Sequence, residues 1–331
     1  MSSAEPPAPS ALTVSVAMAT YNGAAYVEEQ LRSILSQSHA PEELVVADDG
    51  STDDTLAIVR AVAEEYPGTR LVVLEPGARS LGVAGNFARA IGAASGDLVA
   101  LSDQDDRWHE GRLGELVARF TVDEQLLFLH HDAELVDSAG APLGQRLLDW
   151  LRASVEERRA LVAGHSFGVY IRRNLATGAT VVFRRRLVDT AFPIGDGWIH
   201  DEWLAAVAAA LGGARLDERA LVDYRQHGGN QIGVARPTPG HLMRRMFEPR
   251  GTRYEWLASR SSALVERLEG IPLSTEVLEL ARAKQRFETA RAQYPARRLA
   301  RVAPVLRQRR NYPRLSSQGS LDILRDLLHG A

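Results

Sequence analysis

The chain has 331 residues, of which 45% are hydrophobic and 24% are charged, and its formal net charge is −3. This composition is typical of a globular protein, and the length allows one large domain or two smaller ones. So small a net charge provides no overall field for nucleic acid. The chain has no cysteine, which excludes disulfides, thiolate nucleophiles and cysteine-ligated zinc and fits a reducing compartment.

The start of the chain and its apolar runs bear on location. Residues 1–11 are small, polar and rich in proline, so we expect a disordered tail and not a secretion signal. The longest apolar run, from Trp203 to Leu211, is far shorter than the ~20 residues that a spanning helix needs. We therefore expect a cytoplasmic protein that at most rests on the inner face of the plasma membrane.

Strands and helices alternate through the first half of the chain. Apolar, β-branched runs predict strands, and apolar residues at helical spacing predict helices between them. The predicted elements are a strand at 13–19, a helix at 26–38, a strand at 43–47, a helix capped by Ser51 or Asp53, a strand at 71–74, a helix at 85–94 and a strand at 97–101. This order predicts an α/β fold with a doubly wound, mostly parallel sheet.

The second half is less regular and ends in a basic region. Further strands are predicted at 126–130, 180–183 and 220–224, and a helix at 201–211. Helical patterns dominate after residue 236. Between Arg282 and Arg314 the chain has eleven basic residues and one acidic residue, so this segment carries a net charge of +10. We predict an α/β domain over residues 12–235 and a helical, basic region over 236–331.

Polar and acidic clusters follow three of the predicted strands. The segments 20–23, 48–54 and 103–106 each begin where a strand ends. In an open parallel sheet, ligands bind beyond the carboxyl ends of the strands, so these clusters predict the functional cleft. Asp103 and Asp105 would share a face if the strand continued, and their oxygens suit magnesium or manganese. The alternative is an acidic turn in which Asp106 caps the next helix.

Other candidate residues each have a structural and a functional interpretation. Asp48 and Asp49 suit a simple turn or hydrogen bonds to a nucleobase or ribose. Asp201 suits a helix cap or a general base. His227 suits a surface loop or a nitrogen ligand to the same metal. The chain lacks a G-x-G-x-x-G after the first strand and a Walker lysine, which disfavours dinucleotide binding and P-loop phosphoryl transfer.

Taken together, the motifs resemble those of family 2 glycosyltransferases, especially the bacterial rhamnosyltransferase-like branch. The resemblance covers roughly residues 13–235. The motifs that carry it, in chain order, are V16-A17-M18-A19-T20-Y21-N22-G23, V46-A47-D48-D49-G50-S51-T52-D53-D54-T55, L101-S102-D103-Q104-D105-D106-R107-W108, G178-A179-T180, H200-D201 and Y224-R225-Q226-H227-G228-G229-N230.

The resemblance implies a GT-A fold with a C-terminal helical extension, and an inverting transfer of a sugar from a nucleoside diphosphate to a hydroxyl. It implies that Asp201 is the catalytic base and that Asp105 and His227 hold Mg²⁺ or Mn²⁺. The residues that it implies for the nucleotide and the donor sugar are Thr20, Tyr21, Asn22, Asp48, Asp49, Asp103, Gly178, Ala179 and Thr180.

Several alternatives stay open. Glu202, which follows Asp201 where aromatic residues are frequent in this branch, is a rival base, and a second glycine, Gly229, replaces the common asparagine. The donor sugar is rhamnose or another hexose, and the acceptor belongs to a cell-surface polysaccharide, a glycolipid or a small natural product. Two other functions are a nucleotidyltransferase acting on sugar phosphates and a non-catalytic sugar-nucleotide scaffold.

The basic C-terminal region also has two interpretations. Arginine-rich helices often present solvated faces, which here would balance the acidic catalytic domain. The other interpretation, which we favour, is contact with anionic lipid beside a lipid-linked acceptor. Nucleic acid is not an expected partner, because the basic segment has only Phe287, Tyr294 and Tyr312 for stacking.

Overall fold

The computed structural model describes residues 12–77, 79–228 and 252–328. The predicted tail at 1–11 and the predicted domain boundary at residue 236 lie outside this part of the chain. The described residues form two compact units. The first unit contains the residues up to Glu124 together with Val182–Arg186, and the second contains Gln125–Val181 and the residues from Leu187 onward.

The strands fall where apolar and β-branched residues predict them, with some additions. In chain order they are β1 (Val14–Thr20), β2 (Glu43–Asp48), β3 (Arg70–Leu74), β4 (Leu98–Ser102), β5 (Arg107–Trp108), β6 (Phe128–Val136), β7 (Pro142–Arg146), β8 (Val181–Arg184) and β9 (Ala214–Arg225). The strands β5 and β7 were not predicted, because one has two residues and the other is exposed throughout.

Helices fill most of the remaining described chain. In chain order they are α1 (Val27–Leu35), α2 (Thr55–Glu64), α3 (Gly82–Ala93), α4 (Arg112–Val122), α5 (Leu147–Trp150), α6 (Val155–Ala163), α7 (Phe167–Tyr170), α8 (Leu187–Ala191), α9 (His200–Ala210), α10 (Arg253–Glu269), α11 (Thr275–Ala292), α12 (Arg298–Gln308), α13 (Tyr312–Leu315) and α14 (Leu321–Leu328). The stretch Gly178–Thr180 forms a single 3₁₀ turn.

The first unit is built on the predicted parallel sheet. Its strands lie in the order β3-β2-β1-β4, all parallel, and β8 pairs antiparallel with β4. The central strand β1 is almost fully buried, because its apolar residues pack on both faces of the sheet. Helix α3 packs against β1 and β2, and α1 packs against α2. The predicted α/β fold with a mostly parallel sheet is confirmed.

The second unit combines strands with helices. Strand β6 pairs parallel with β9 and antiparallel with β7. Helix α9 accounts for the long apolar run of the sequence, since ten of its eleven residues are buried. A helix that is apolar on all sides belongs in a core. Within the described residues, no helix is long and apolar enough to cross a membrane.

The C-terminal helices α10–α14 confirm the predicted helical region, but its charges are not all solvated. Asp326 on α14 accepts hydrogen bonds from Arg291 and from the hydroxyl groups of Tyr254 and Tyr312. Arg291 also pairs with Glu288 at 2.9 Å. All of these side chains are buried. Part of the basic charge therefore stabilises the packing of the helices, because a buried charge needs a partner.

Candidate active site

The loops after β1 and β2 are joined through one buried carboxylate. Asp48, the last residue of β2, has no exposed surface. Its Oδ1 accepts hydrogen bonds from the backbone of Gly50 and Ser51, and its Oδ2 accepts from the hydroxyl groups of Thr20 (2.7 Å) and Ser51 (2.6 Å). The side chain of Asp48 therefore orders the loop that it begins, as Asx turns do.

Asn22 continues the connection between the two loops. Its backbone lies in the left-handed region, with φ at 47°, which asparagine tolerates better than most residues. Its backbone N–H donates to the Ser51 hydroxyl at 2.8 Å, and its side-chain oxygen accepts from the backbone N–H of Thr52 at 2.8 Å. The sequence-predicted residues Thr20, Asn22 and Asp48 therefore lie in one hydrogen-bonded arrangement.

Gln104 ties the loop after β4 to the loop after β1. Its side-chain oxygen accepts from the backbone N–H of Tyr21 at 2.9 Å, and its side-chain nitrogen donates to the Tyr21 carbonyl at 3.0 Å. Gly23 makes room for this contact, because a Cβ there would lie 2.2 Å from the Gln104 oxygen. The two-point pairing fixes the backbone of Tyr21, whose own side chain is 46% exposed.

Asp49 faces a different segment from Asp48. Its carboxylate accepts from the Ser80 hydroxyl (2.6 Å) and from the backbone of Leu81 (2.8 Å) and Gly82 (2.9 Å) at the start of α3. Burial acts to raise the pKa of Asp49, but these hydrogen bonds hold it below its usual value. Asp49 is therefore an ionised group that positions the residues before α3.

The acidic segment after β4 does not continue as a strand. β4 ends at Ser102, so the condition under which Asp103 and Asp105 would share a strand face is not met, and both are half-buried. Asp106 is buried, and its charge faces the buried guanidinium of Arg112, which lies 3.7 Å from the ring centre of Trp108. The alternative of Asp106 as a helix cap is wrong, because Gly111 is the N-cap of α4.

The helix cap predicted earlier in the chain also differs. Asp54 occupies the N-cap position of α2, and its side chain makes no capping bond. Asp53 nevertheless accepts from the N–H of Thr55 at 3.1 Å, and it also accepts from the backbone of Ala24 at 3.1 Å. Asp53 therefore holds the loop after β1 against the start of α2.

In the second unit, Asp201 lies in the first turn of α9 with 6% of its surface exposed. Burial, and to a lesser degree the charge of Glu202, raise the pKa of Asp201 to about 7. The hydroxyl of Tyr170 lies near enough for the Asp201 charge to raise its pKa further above the effect of burial. A carboxyl group with such a pKa accepts and releases protons near neutral pH.

Three groups hold the Asp201 carboxylate in place. The backbone N–H of Glu202 donates to its Oδ1 at 2.6 Å, and the backbone N–H of Gly178 and the side-chain amide of Asn174 also donate hydrogen bonds to it. Asn174 is itself oriented, because its side-chain oxygen accepts from the backbone of Ala176 at 2.9 Å. The 3₁₀ turn at Gly178–Thr180 therefore lies against the start of α9. A Cβ on Gly178 would lie 3.2 Å from the Nε2 of His200.

Glu202, the rival base, has a cationic partner. Its carboxylate lies 2.6 Å from the guanidinium of Arg260, and both side chains are mostly buried. The guanidinium is held between two indole rings, 4.0 Å from the centre of Trp198 and 4.4 Å from that of Trp256. Glu202 therefore forms an ion pair with helix α10.

The proposed metal ligands belong to different units. Asp105 lies in the first unit and the partly buried His227 in the second. Within residues 12–77, 79–228 and 252–328, no group of three or more His, Asp or Glu side chains could hold a metal ion. Magnesium is often bound by one or two carboxylates together with substrate phosphates, so Asp103 and Asp105 supply a suitable oxygen chemistry.

Sequence reasoning missed three residues that shape these loops: Gln104, Asn174 and Arg260. Gln104 lies within one of the family motifs, but no sequence pattern distinguishes a glutamine that binds the backbone from one that faces water. Asn174 lies four residues before Gly178, and Arg260 lies far along the chain in α10. Only the three-dimensional structure brings these two residues to Asp201 and Glu202.

Comparison with known proteins identifies the chain's relatives. Residues 15–178 match the model of glycosyl transferase family 2. The dTDP-rhamnosyl transferase RfbG of Shigella flexneri is 28% identical over 226 residues, which is 66% of this chain and 74% of RfbG. TuaG of Bacillus subtilis, a putative teichuronic acid biosynthesis glycosyltransferase, is 33% identical over 130 residues, 39% of this chain and 50% of TuaG.

The chain matches only part of the length of its relatives, and the matched share is 66%, 74% and 59% of the full length of three of them. Among solved structures, a mannosyltransferase from Pyrobaculum calidifontis superposes with a TM-score of 0.54 at 20% identity, covering 91% of this chain and 76% of that one. This similarity confirms the GT-A fold that the sequence motifs implied. Fold, ordered motifs and family model agree, and the chain belongs to glycosyl transferase family 2.

Proposed function

We propose that this protein is a metal-dependent, inverting hexosyltransferase that uses a nucleoside-diphosphate sugar. The observation that carries the proposal is Asp201, a buried carboxyl with a pKa of about 7 whose orientation is set by Asn174 and Gly178. Such a group suits a general base that takes a proton from an acceptor hydroxyl at neutral pH. The ion pair between Glu202 and Arg260 supports Asp201 over Glu202 in this role.

The transfer would be one displacement at the anomeric carbon. The acceptor oxygen bonds to that carbon while its proton passes to Asp201. The bond from the carbon to the diphosphate oxygen breaks at the same time, and the diphosphate leaves with the electron pair. Attack from the face opposite the leaving group inverts the anomeric centre, so no covalent enzyme intermediate forms.

The donor would contact the residues that the family motifs indicate. Thr20, Tyr21 and Asn22 would border the nucleotide, and Asp48 would hold the base with Asp49 beside it. Asp103 would hydrogen-bond the ribose, and Gly178, Ala179 and Thr180 would line the donor and acceptor side. Because both oxygens of Asp48 already serve its loop, its contribution would be to keep that loop in the shape that receives the base.

A divalent cation, Mg²⁺ or Mn²⁺, would neutralise the negative charge of the departing diphosphate when bound. Asp105 and His227 would be its protein ligands. A related fold supports this proposal, since the mannosyltransferase from Pyrobaculum calidifontis was solved with GDP-mannose and Mn²⁺. The carboxylates of the segment after β4 repel one another, and a bound cation would offset that repulsion.

The relatives suggest substrates. RfbG is named a dTDP-rhamnosyl transferase and TuaG a putative teichuronic acid biosynthesis glycosyltransferase. We propose rhamnose or another hexose as the donor sugar and a cell-surface polysaccharide or glycolipid as the product. The acceptor would be lipid-linked, and the basic C-terminal region would contact an anionic membrane from the cytoplasmic side.

A panel of nucleotide sugars that includes dTDP-rhamnose, assayed with and without Mn²⁺, tests the proposal. Release of a nucleoside diphosphate and an inverted product anomer by NMR are expected. Asp201→Asn should abolish turnover while donor binding persists, and Asp196→Asn, an exposed aspartate nearby in sequence, should behave as wild type. Pyrophosphate release would indicate nucleotidyl transfer, and donor binding without turnover in the wild type would indicate a scaffold.

A further inference from the structure

Helix α12 exposes an apolar face that no other element within residues 12–77, 79–228 and 252–328 covers. Leu299 is 89% exposed, Val302 41% and Leu306 50%. These residues are three and four positions apart, so their side chains line one side of the helix. We call them the α12 ridge. Scattered exposed leucines are ordinary, but an aligned set on one helix marks a surface that binds something.

The other side of α12 is anchored in the helical region, which fixes the direction of the ridge. Arg301 and Val305 are fully buried. The Arg301 guanidinium donates to the carbonyl oxygens of Pro295 (2.6 Å), Ala296 and Asp326 (3.3 Å). Because the helix is held by these contacts, the ridge cannot roll inward to bury its leucines.

The surroundings of the ridge are basic. From residue 289 to 321 the chain has no aspartate or glutamate. On an α-helix, Arg298 lies to one side of the ridge and Arg307 to the other. Within the described part of this segment, the exposed arginines are Arg297, Arg298, Arg307, Arg309, Arg310 and Arg314. The surface therefore combines an apolar stripe with flanking cations.

We propose that the α12 ridge inserts into the headgroup region of an anionic membrane, with the flanking arginines on lipid phosphates. Interfacial helices have this design, with leucines below the headgroups and arginines at their level. A second copy of the chain is a poorer occupant, because its own ridge would bring the same positive charges against these. This inference rests on the proposed membrane contact and deepens it, since charge alone would not require the leucines.

The test is sedimentation of the full chain with vesicles of phosphatidylcholine, alone or mixed equally with phosphatidylglycerol, at low and high salt. The wild type should bind the mixed vesicles and not the neutral ones. The double substitution Leu299→Ser with Leu306→Ser should weaken this binding by about tenfold or more, because two apolar insertions are lost. Arg307→Gln with Arg309→Gln should weaken it in low salt and make little difference in high salt.

A matched control comes from the first unit. Val122 is 88% exposed, so Val122→Ser removes an equally exposed apolar side chain that is not part of the ridge and should leave binding unchanged. Diphosphate release with a water-soluble acceptor should be the same in all variants. This measurement separates the proposed transferase activity from the proposed membrane binding. A protein without turnover can still bind vesicles, and a protein that does not bind vesicles can still turn over the donor.

Three results would overturn the inference. The wild type fails to bind anionic vesicles, or the leucine variant binds them as well as the wild type does. In the third, sedimentation velocity shows that the wild type forms a dimer, that the leucine variant does not, and that neither protein binds vesicles. This result would assign the ridge to a contact with a second copy of the chain. Because all substituted side chains are exposed, an unchanged melting temperature is expected and shows that the variants are folded.

Discussion

Gln104 and Tyr21 are joined by two hydrogen bonds, although 83 residues separate them in the sequence. The side-chain amide of Gln104 bonds to both the N–H and the carbonyl of Tyr21, as the backbone of a neighbouring strand would do. The loops after β1 and β4 are thus held together beyond the point where their strands end. In the family 2 motif, the residue between Asp103 and Asp105 therefore acts on the backbone of the first loop.

The pairing between Gln104 and Tyr21 predicts that binding of the sugar donor weakens when Gln104 loses the amide nitrogen that donates a hydrogen bond to Tyr21. Gln104→Glu keeps the shape of the side chain, but a carboxylate cannot donate to the Tyr21 carbonyl and repels it. We expect KM for the donor to rise by about tenfold with a smaller change in kcat, because loop order is lost before chemistry begins. Steady-state kinetics of diphosphate release measures this.

The control for that variant is Gln318→Glu, which makes the same chemical change at an exposed glutamine of the second unit. Its KM should match that of the wild type. A second variant, Gly23→Ala, should reproduce the Gln104→Glu defect, because the added Cβ would collide with the Gln104 side chain. If Gln104→Glu bound donor normally, the pairing would have no role in donor binding.

The strand positions were predictable because parallel sheets impose strong patterns. Val16–Met18 and Leu44–Ala47 are short runs of buried apolar residues, as expected for strands covered on both faces, whereas the longer buried run in α9 is helical. The same logic placed the polar segments after Thr20, Asp48 and Ser102, where the strands end. Fold class and the location of these loops therefore followed from the sequence.

The arrangement within the loops was not predictable, because it depends on contacts between distant residues. No pattern in the sequence relates Arg260 to Glu202, because the two residues belong to different helices. Nor does any pattern show that both oxygens of Asp48 accept hydrogen bonds from its own loop. The buried basic residues Lys284, Arg291 and Arg301 were counted as part of one charged segment. Charge composition does not distinguish arginines that lie in a core from arginines that face water.

The raised pKa of Asp201 predicts the pH dependence of transfer. The base must be ionised to accept a proton, so kcat should rise as the pH increases through about 7. Burial is the main cause of this raised pKa and remains in Glu202→Gln, but the variant removes the charge of Glu202, which is the second cause, and so favours the ionised form of Asp201. The acidic limb of the pH–kcat profile should therefore move to lower pH, with activity retained.

This profile also separates the two candidate bases. If Glu202 were the base, Glu202→Gln would abolish transfer at every pH instead of moving the limb. Glu266→Gln serves as the control, because Glu266 is an exposed glutamate on α10 whose loss should leave the profile unchanged. The neutral, buried His200 does not titrate in this range, because burial lowers its pKa to about 3.

Asp201 should also cost the protein stability at the pH where it works. Its folded pKa of about 7 lies above the usual value of 3.8, so the native state loses stability as the pH rises between these values. Asp201→Asn has no such penalty. We expect the free energy of unfolding of the variant to exceed that of the wild type by roughly 1–4 kcal/mol at pH 8.

The two proteins should differ much less at pH 4, close to the unfolded pKa of 3.8, because the folded carboxyl is protonated there and the unfolded carboxyl is only partly ionised. Urea denaturation at the two pH values measures the difference. A variant that is less stable than the wild type at pH 8 would mean that the Asp201 carboxylate contributes to the fold.

Removal of divalent cations should stop the reaction, because the cation that Asp105 is proposed to bind would be lost. We expect a chelator to abolish diphosphate release and Mn²⁺ to restore it. In Asp105→Asn, Mn²⁺ binding in the presence of the nucleoside diphosphate, followed by electron paramagnetic resonance, should weaken at least about tenfold. Asp54→Asn, an exposed aspartate of the same unit, should bind Mn²⁺ normally. Activity that survives exhaustive chelation would exclude the metal-dependent mechanism.

Asp326 predicts that the C-terminal helices are sensitive to acid. Burial acts to raise its pKa, but hydrogen bonds from Arg291, Tyr254 and Tyr312 hold the pKa below 3.8. The stability from this carboxylate is therefore full above pH 3.8 and is lost as the pH falls through its lowered pKa. Asp326→Asn leaves Arg291 short of a buried partner and should lower the free energy of unfolding by roughly 3–5 kcal/mol at pH 7.

Urea denaturation followed by circular dichroism measures this loss. Asp189→Asn, at an exposed position of α8 in the same unit, should change the free energy of unfolding by less than about 0.5 kcal/mol. Because the Asp326 carboxylate accepts hydrogen bonds from two tyrosines, Tyr312→Phe should show a smaller loss than Asp326→Asn. Equal stability of Asp326→Asn and the wild type would show that the helices hold together by apolar packing alone, since Phe287, Val305 and Leu315 form a buried cluster beside the charges.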